Sequence, residues 1–253
     1  MTLPLVLVHG WGVNTAIWNA LIPELEPEFE VHLIELPGYG DSPPTQPEMS
    51  LSEITDNVLS QAPDRAVWAG WSLGGTIALN AALTHPERIK KLQLISTTPR
   101  FLTGSDWEHG IQKEAFDKLA ISFRGDYTKA LQSFLRLQLY KTDRAEQRIF
   151  RRMAKDLTSL IATHHTPSVA VLQNGLAILA NTDLRDQLPH LTIDTQIIAG
   201  KNDPLVPIEA SHFLNKNLTS PHSLIEMETG HIPFLESTKG YIKALTRFCK
   251  TES

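Results

Sequence analysis

Ser72 is flanked by Gly70 and Gly74 in the pattern G-x-S-x-G. The apolar segment Ala66–Trp71 is predicted to be a strand that leads directly into the serine, and a helix-compatible run follows it. In this strand–turn–helix arrangement, glycines permit a crowded turn and the serine hydroxyl projects above the sheet. The other interpretation is a serine that caps the helix, with glycines that allow close packing. The strand and helix on either side favour Ser72 as a nucleophile.

A serine hydroxyl needs a base to take its proton and a carboxylate to orient that base. On a strand–turn–helix nucleophile the chain order is serine, acid, histidine. Asp203 follows the predicted strand Thr195–Gly200, and His231 follows the apolar run SLIEM (223–227) and opens the loop before the last helix. We therefore expect Asp203 and His231 at the same sheet edge as Ser72. The other candidates lie in a predicted cap, before a strand, or in a helix or connection: Asp183, Asp186, Asp194, His164, His165, His212 and His222.

A tetrahedral intermediate also needs hydrogen-bond donors for its oxyanion. The backbone N–H of Leu73, directly after the nucleophile, is one candidate. The glycine-containing loop His9–Gly12 follows an early strand, and the Trp11 N–H is predicted to be the second donor. The indole of Trp11 is also predicted to line the acyl pocket.

Short, nearly continuous apolar runs alternate with helical patterns along much of the chain. This alternation predicts an α/β fold in which helices flank a mostly parallel sheet. Ser50 and Glu53 have the spacing of a capping box at the start of one helix. The predicted strands are Leu3–Val8, Val31–Leu36, Ala66–Trp71, Lys91–Ser96 and Thr195–Gly200, and the predicted helices are Ile17–Leu25, residues 51–61 and Ser72–Leu83.

Residues 100–188 show helical periodicity without a convincing strand. We interpret them as a helical cap inserted between core strands, with residues 1–99 and 189–253 as one hydrolytic core. Between Lys113 and Lys155 there are 11 Lys/Arg against 5 Asp/Glu, although the whole chain has a net charge of −5. This excess of basic residues fits solvated helix faces, or a surface on which an acidic partner docks.

The composition of the 253-residue chain limits the remaining functions. With 42% hydrophobic and 20% charged residues it is typical of a globular protein, and its charge gives no support for nucleic-acid binding. The single cysteine, Cys249, excludes an internal disulfide framework and is interpreted as a packing residue. The start of the chain lacks the basic region of a signal peptide, and no apolar run approaches the ~20 residues that span a bilayer. We expect a cytoplasmic protein without membrane contact.

Motifs for metals and cofactors are missing from the sequence. There is no Cys/His cluster with zinc spacing, no H-E-x-x-H and no Walker loop, and the glycines fail the G-x-G-x-x-G pattern. We therefore predict neither a metal nor a cofactor.

Six segments carry a resemblance to a known family: LVLVHGWG, LPGYGDS, GWSLGG, ALTHPERIKKL, NGLAILANTDLRDQL and GHIPF. Together they resemble the α/β-hydrolase superfamily. Within it they are similar to the pimeloyl-[acyl-carrier protein] methyl ester carboxylesterases of biotin synthesis, often called the BioH family. The similarity extends from about residue 5 to the final helix and is weakest between residues 105 and 166.

The resemblance implies a serine carboxylesterase. Ser72 would attack the terminal methyl ester of a pimeloyl chain on acyl-carrier protein, with His231 as base and then acid and Asp203 orienting it. Methanol would leave, and water would then release pimeloyl-[acyl-carrier protein]. Aromatic side chains clamp the acyl chain in that family, and Trp11 and Phe134 match those positions.

The resemblance also implies a docking surface for the carrier on the cap, where the family uses arginines. Lys129 stands where the family usually has arginine, and Gln132-Ser133 where a further arginine would lie. Other arginines of the cap are geometric substitutes. Together with Lys129 the candidate docking residues are Arg136, Arg144, Arg148, Arg151 and Arg152.

Two other functions stay open at this point. One keeps the catalysis and changes the substrate, as a broad short-chain carboxylesterase or a menaquinone-pathway type of hydrolase or lyase. The other is a non-catalytic binding protein on a hydrolase fold, against which the complete set of Ser72, Asp203 and His231 argues.

Overall fold

A computed structural model describes residues 2–43, 46, 48–139 and 144–251, with only the backbone described for residues 144 and 145. Its centre is a six-stranded sheet in the order β2-β1-β3-β4-β5-β6, and every neighbouring pair is parallel. The predicted α/β fold is therefore confirmed. The strands are β1 (Leu3–Val8), β2 (Phe29–Ile34), β3 (Ala66–Trp71), β4 (Ile89–Ile95), β5 (Thr195–Gly200) and β6 (His222–Met227).

Helices cover the sheet and fill the interval between β4 and β5. The chain first builds β2 beside β1 and then crosses to β3 on the other side of β1. Parallel α/β sheets bind ligands at such a reversal, outside the carboxyl ends of the strands. The helices are α1 (Ile22–Leu25), α2 (Leu51–Gln61), α3 (Leu73–Thr84), α4 (Lys113–Ser122), α5 (Tyr127–Gln138), α6 (Arg144–Ile161), α7 (Val169–Asn181), α8 (Ile208–Asn217), α9 (Pro233–Glu236) and α10 (Thr238–Lys250).

The prediction of one helix at Ile17–Leu25 is wrong. A 3-10 turn at Thr15–Trp18 and the one-turn helix α1 take its place. Asn14 begins the turn, because its side-chain oxygen accepts the Ala16 N–H. Pro23 lies in the first turn of α1, where a proline is tolerated because the N–H it lacks would have no partner in the helix. If the helix began at Ile17, Pro23 would lie in its interior and would disrupt it. By contrast, the predicted capping box at the start of α2 is confirmed.

Strand boundaries differ from the predicted ones by one or two residues. The strand predicted at Val31–Leu36 ends at Ile34, and the Leu36 N–H donates to the His9 ring instead of a neighbouring strand. The strand predicted at Lys91–Ser96 ends one residue earlier, because Ser96 has a φ of 44°. The sequence predicted β6 only as an apolar run, since this edge strand is partly exposed.

Helices α4 to α7 lie between β4 and β5, within the interval predicted to be the cap. The division into a core of residues 1–99 and 189–253 and a cap of residues 100–188 stays a prediction. Among the described residues, no helix is long and apolar enough to cross a membrane.

Three of the helices between β4 and β5 accept hydrogen bonds, through main-chain carbonyl groups, from residues outside that interval. The donors are the side chains of two residues after β1 and one backbone N–H after β6. We call these contacts the cap joints. They run from Asn14 Nδ2 to Ile161 O at 3.0 Å, from Trp11 Nε1 to Leu172 O at 2.8 Å, and from His231 N to Gln138 O at 2.7 Å.

Close backbone packing holds the start of α3 against the sheet. A Cβ on Gly74 would overlap the carbonyl oxygen of Val8 and lie 2.5 Å from that of His9. A Cβ on Gly70 would overlap the carbonyl oxygen of Gly74. Helix α3 therefore approaches the strands more closely than a side chain would allow, which brings its first turn to the carboxyl end of β1.

Replacement of Gly74 by alanine should lower the free energy of unfolding by about 3 kcal/mol, because the added methyl group meets backbone that cannot rotate away. Urea-induced unfolding measures this change. Gly125→Ala is the matched control, since a Cβ there meets nothing within 4 Å, and it should change stability by less than about 1 kcal/mol. Similar values for the two variants would contradict the packing described here.

Candidate active site

Ser72 occupies the sharp turn between β3 and α3 with a φ of 55° and a ψ of −117°. Its N–H donates to Ile95 O at 3.0 Å, and its carbonyl oxygen accepts from Thr97 Oγ1 at 2.9 Å. A positive φ is uncommon outside glycine, and where it occurs at a strand–helix turn it is typical of a nucleophilic serine. Only 6% of the surface of Ser72 is exposed.

Asp203 and His231 form a buried pair in the loops after β5 and β6. Asp203 Oδ2 lies 2.6 Å from His231 Nδ1, and both side chains are 1% exposed. The other carboxylate oxygen, Oδ1, accepts the backbone N–H groups of Leu205 at 2.8 Å and Val206 at 2.9 Å. The carboxylate is thus held at both oxygens, and it occupies Nδ1 of the imidazole. Nε2 is left as the ring nitrogen that can take a proton from a hydroxyl group.

The three predicted triad residues follow the carboxyl ends of β3, β5 and β6. Because these strands are parallel, their carboxyl ends share one edge of the sheet. Four of the other candidates form ion pairs elsewhere. Asp194 pairs with Lys91 at 2.9 Å, Asp183 with Arg185, His212 with Glu226, and His164 with Asp41.

The two predicted oxyanion donors lie at the same edge. Leu73 is the first residue of α3, so its N–H has no acceptor within the helix and carries the positive end of the helix dipole. Trp11 lies in the loop after β1. Its indole N–H is used by the cap joint to Leu172, so the backbone N–H is the group that Trp11 offers to an oxyanion.

An aromatic cluster surrounds Trp11. Its ring lies edge-on to Phe123 and to Phe134, with centroids 4.7 and 5.4 Å away. Phe123 also contacts Tyr127, whose hydroxyl donates to Gly12 O at 3.1 Å. The sequence singled out Trp11 and Phe134 but missed Phe123 and Tyr127, because the end of α4 and the start of α5 carry no motif.

Residues 4–238 match the alpha/beta hydrolase fold family. The chain belongs to this family. It is 37% identical over 249 residues to the pimeloyl-[acyl-carrier protein] methyl ester esterase of Edwardsiella ictaluri. The alignment covers 98% of this chain and 94% of that protein. The protein of the same name from Vibrio vulnificus (strain YJ016) is 35% identical over 244 residues, covering 96% and 93%. The family resemblance inferred from the sequence is confirmed.

The fold is also similar to that of solved hydrolases. An esterase from Exiguobacterium antarcticum superposes with a TM-score of 0.83 and 25% identity, covering 98% of this chain and 92% of that one. An enol-lactonase from Burkholderia xenovorans superposes with a TM-score of 0.81 and 21% identity, covering 99% and 92%. The second comparison supports the fold alone.

The predicted docking residues of this hydrolase lie on α5 and α6, which pack against each other. Lys129 is exposed and pairs with Asp126 at 3.1 Å, and Arg136 is also exposed. The side chain of Arg144 lies outside the described residues.

The remaining docking residues share one face of α6. Their spacing of three and four residues places Arg148, Arg151 and Arg152 together, beside Lys155, which was not among the predicted docking residues, and all four are exposed. We call them the basic ridge. Arg152 lies 3.6 Å from Asp156, so part of its charge is balanced within the helix.

A partly buried carboxylate that the sequence did not reveal contacts the Trp11 loop at both ends. Glu35 Oε1 accepts the N–H of Thr15 at 3.0 Å and its hydroxyl at 2.5 Å. Glu35 Oε2 lies 3.2 Å from Nε2 of the fully buried His9. Glu35 follows β2, so only the pairing of β1 with β2 brings it beside the loop.

The environment of Glu35 changes its acidity. Burial raises the pKa of this carboxyl, but the adjacent His9 ring and the two hydrogen bonds from Thr15 lower it, and the pKa lies below the ordinary value of 4.5. A carboxyl whose pKa is lower in the folded state stabilises the fold above its ordinary pKa. That stabilisation is lost as the pH falls through the lowered value.

Glu35→Gln should therefore cost about 1–2 kcal/mol of stability at neutral pH, where charged hydrogen bonds are lost. The difference from the wild type should begin to shrink near pH 4.5 and should vanish only below the lowered pKa, where the wild-type carboxyl of the folded protein is also neutral. Urea unfolding at a series of pH values measures both effects. Glu24→Gln, at an exposed position, is the control and should follow the wild type throughout. A pH-independent loss in Glu35→Gln would contradict the role given to the charge.

Proposed function

We propose that this chain is a serine carboxylesterase that hydrolyses the methyl ester of pimeloyl-[acyl-carrier protein]. The observation that carries the proposal is the 2.6 Å contact between Asp203 and His231 at the sheet edge where Ser72 turns into α3. The 37% identity to an esterase of that name, over 98% of the chain, supports the choice of substrate.

The reaction takes two steps. Ser72 Oγ attacks the ester carbonyl carbon while His231 Nε2 takes the hydroxyl proton, and Asp203 stabilises the imidazolium. The backbone N–H groups of Leu73 and Trp11 bind the oxyanion of the tetrahedral intermediate. The intermediate expels methanol, which takes the proton from His231. Water then attacks the acyl-enzyme by the same route and releases the free carboxylate and Ser72.

The acyl chain is expected to contact the aromatic cluster. The rings of Trp11, Phe123 and Phe134 are buried and contact one another. They lie beside the backbone N–H of Trp11, which is one of the proposed oxyanion donors. Such side chains bind a hydrocarbon chain through buried apolar area without requiring a polar group on it.

The carrier is expected to dock on the basic ridge. Acyl-carrier protein presents an acidic helix, and the ridge supplies positive charge in a chain whose net charge is −5. Electrostatic complementarity of this kind raises the association rate and selects the partner. We expect this reaction to take place in the cytoplasm.

A broad short-chain carboxylesterase is the second candidate. The similarity to the Exiguobacterium antarcticum esterase favours it, because that structure matches 98% of the chain at a TM-score of 0.83. This second candidate function would use the same three residues, Ser72, Asp203 and His231, and would not require a carrier protein.

Ser72→Ala should reduce hydrolysis of p-nitrophenyl acetate by about 1,000-fold or more, because the nucleophile is removed while the fold is kept. Steady-state kinetics measure the loss, and circular dichroism checks the fold. Ser60→Ala, at an exposed position of α2, should retain wild-type turnover. Turnover that persists in Ser72→Ala would exclude this serine as the nucleophile.

Complementation tests the pathway assignment of the same site. The wild-type chain should restore growth of a biotin auxotroph that lacks its own pimeloyl methyl ester esterase, and Ser72→Ala should not. Hydrolysis of p-nitrophenyl acetate without complementation would favour the short-chain esterase.

Reversal of charge on the basic ridge separates carrier docking from chemistry. The variant Arg148→Glu, Arg151→Glu and Arg152→Glu should lower kcat/KM for the carrier-bound ester by about tenfold or more, and leave that for p-nitrophenyl acetate unchanged. The matched control reverses the same number of exposed charges on α8 and α10, at Lys216, Lys243 and Arg247. Equal losses on both substrates, or equal losses in the control, would argue against docking on α6.

A further inference from the structure

Both backbone polar groups of His231 bond to residues far away in the sequence. Its N–H donates to Gln138 O at the end of α5, at 2.7 Å, and its carbonyl oxygen accepts from Trp71 Nε1 at 2.8 Å. His231 lies in the loop between β6 and α9, and loops are more mobile than the elements they connect. These two bonds hold the main chain of His231, as the contact with Asp203 holds its ring.

Trp71 lies beside the serine, the histidine and the loop that carries Trp11. It directly precedes Ser72 in β3, and its ring packs against the ring of His231 with the centroids 5.5 Å apart. A Cβ on Gly10, in the loop that carries Trp11, would lie 2.8 Å from Cε3 of the Trp71 ring. The side chain of Trp71 is buried, so its indole N–H has no water to bond with and depends on the His231 carbonyl.

We propose that Trp71 is a positioning residue whose indole N–H sets the place of the His231 main chain and, through it, the distance of the imidazole from Ser72. The inference rests on the proposed function, because the position of a base matters only relative to its nucleophile. It assigns Trp71 a role in the rate of proton transfer and none in substrate binding. Misplacement of a reacting group by about 1 Å can cost a factor of about 100 in rate.

A purely structural role is the alternative, in which Trp71 fills volume beside His231 and Phe234. The two roles differ in what they require of the side chain. Packing requires the ring, whereas positioning also requires the N–H at Nε1. Phenylalanine keeps an aromatic ring and removes that donor, so Trp71→Phe separates the two.

Trp68 provides a matched control within the same strand. It is also fully buried, but its Nε1 has no hydrogen-bond partner among the described residues. Because side chains alternate along a strand, Trp68 and Trp71 lie on opposite faces of β3. Trp68→Phe therefore makes the same change of size in the same strand without removing a bond to His231.

The first experiment compares the two variants with p-nitrophenyl acetate as substrate, after active-site titration to count functional sites. Trp71→Phe should lower kcat by about tenfold or more and change KM by less than about twofold, whereas Trp68→Phe should leave kcat within about twofold of the wild type. Equal losses of kcat in the two variants, or a change confined to KM in Trp71→Phe, would overturn the proposal.

The second experiment observes the base without catalysis. The proton on His231 Nδ1, shared with Asp203, gives a low-field proton NMR resonance. Trp71→Phe should shift or broaden it, and Trp68→Phe should not. An unchanged resonance in Trp71→Phe would overturn the proposal even if activity were lost. If the wild type hydrolyses no ester, the proposed function fails, while the resonance still reports whether Trp71 positions His231.

A measurement on the wild type covers the case in which Trp71→Phe does not fold. Diethyl p-nitrophenyl phosphate phosphorylates an active serine, forming the Oγ–P bond and releasing p-nitrophenolate. The added group displaces or engages the His231 ring, so the Nε1–H resonance of Trp71 should shift and that of Trp68 should stay. A Trp71 resonance that does not respond to complete phosphorylation would contradict the proposed coupling.

Discussion

The left-handed backbone of Ser72 is the constraint on which the rest of the site depends. A φ of 55° in a residue with a Cβ costs about 1–2 kcal/mol, so the surroundings must hold it. Ile95 O and Thr97 Oγ1 fix its peptide groups, and Gly74 lets α3 press against the end of β1. The same close approach puts the N–H of Leu73 beside the loop after β1. The proposed nucleophile and the proposed oxyanion donors therefore depend on one packing arrangement.

The charged and polar groups around Ser72 are each held in place by further hydrogen bonds. Asp203 is held by two backbone N–H groups and holds the imidazole of His231, while Trp71 and Gln138 hold the His231 main chain. On the other side, Glu35 joins His9 to Thr15 across the Trp11 loop. Dipoles fixed before the substrate arrives need no reorganisation as charge develops, which is how such sites lower a barrier. Burial strengthens each of these interactions by excluding water.

Patterns that are local in sequence predicted much of the fold. The G-x-S-x-G turn, the capping box of α2 and the buried parallel strands all depend on neighbours within a few positions. The helix predicted at Ile17–Leu25 was wrong because Asn14 and Pro23 set separate starts within one apolar stretch. The weakly patterned edge strand β6 was identified only as an apolar run.

The supporting residues of the site were missed for a different physical reason. Glu35 and Gln138 have no distinguishing neighbours, and their partners lie far along the chain. Only the pairing of β1 with β2 brings Glu35 to His9, and only the approach of the end of α5 to the loop after β6 brings Gln138 to His231. Trp71 was noticed as part of a family signature, but the partner of its indole lies 160 residues away. Sequence periodicity reports burial and not the identity of the partner.

The cap joints have a consequence for how this protein can diverge. Their acceptors are the carbonyl groups of Gln138, Ile161 and Leu172, and every amino acid carries that group. The donors Trp11, Asn14 and His231 lie in loops that follow β1 and β6. Substitutions on the outer faces of α5, α6 and α7 can therefore accumulate without loosening the catalytic machinery, provided that the helices persist. A lineage can remodel the outer surface of these helices while it inherits the inner contacts intact.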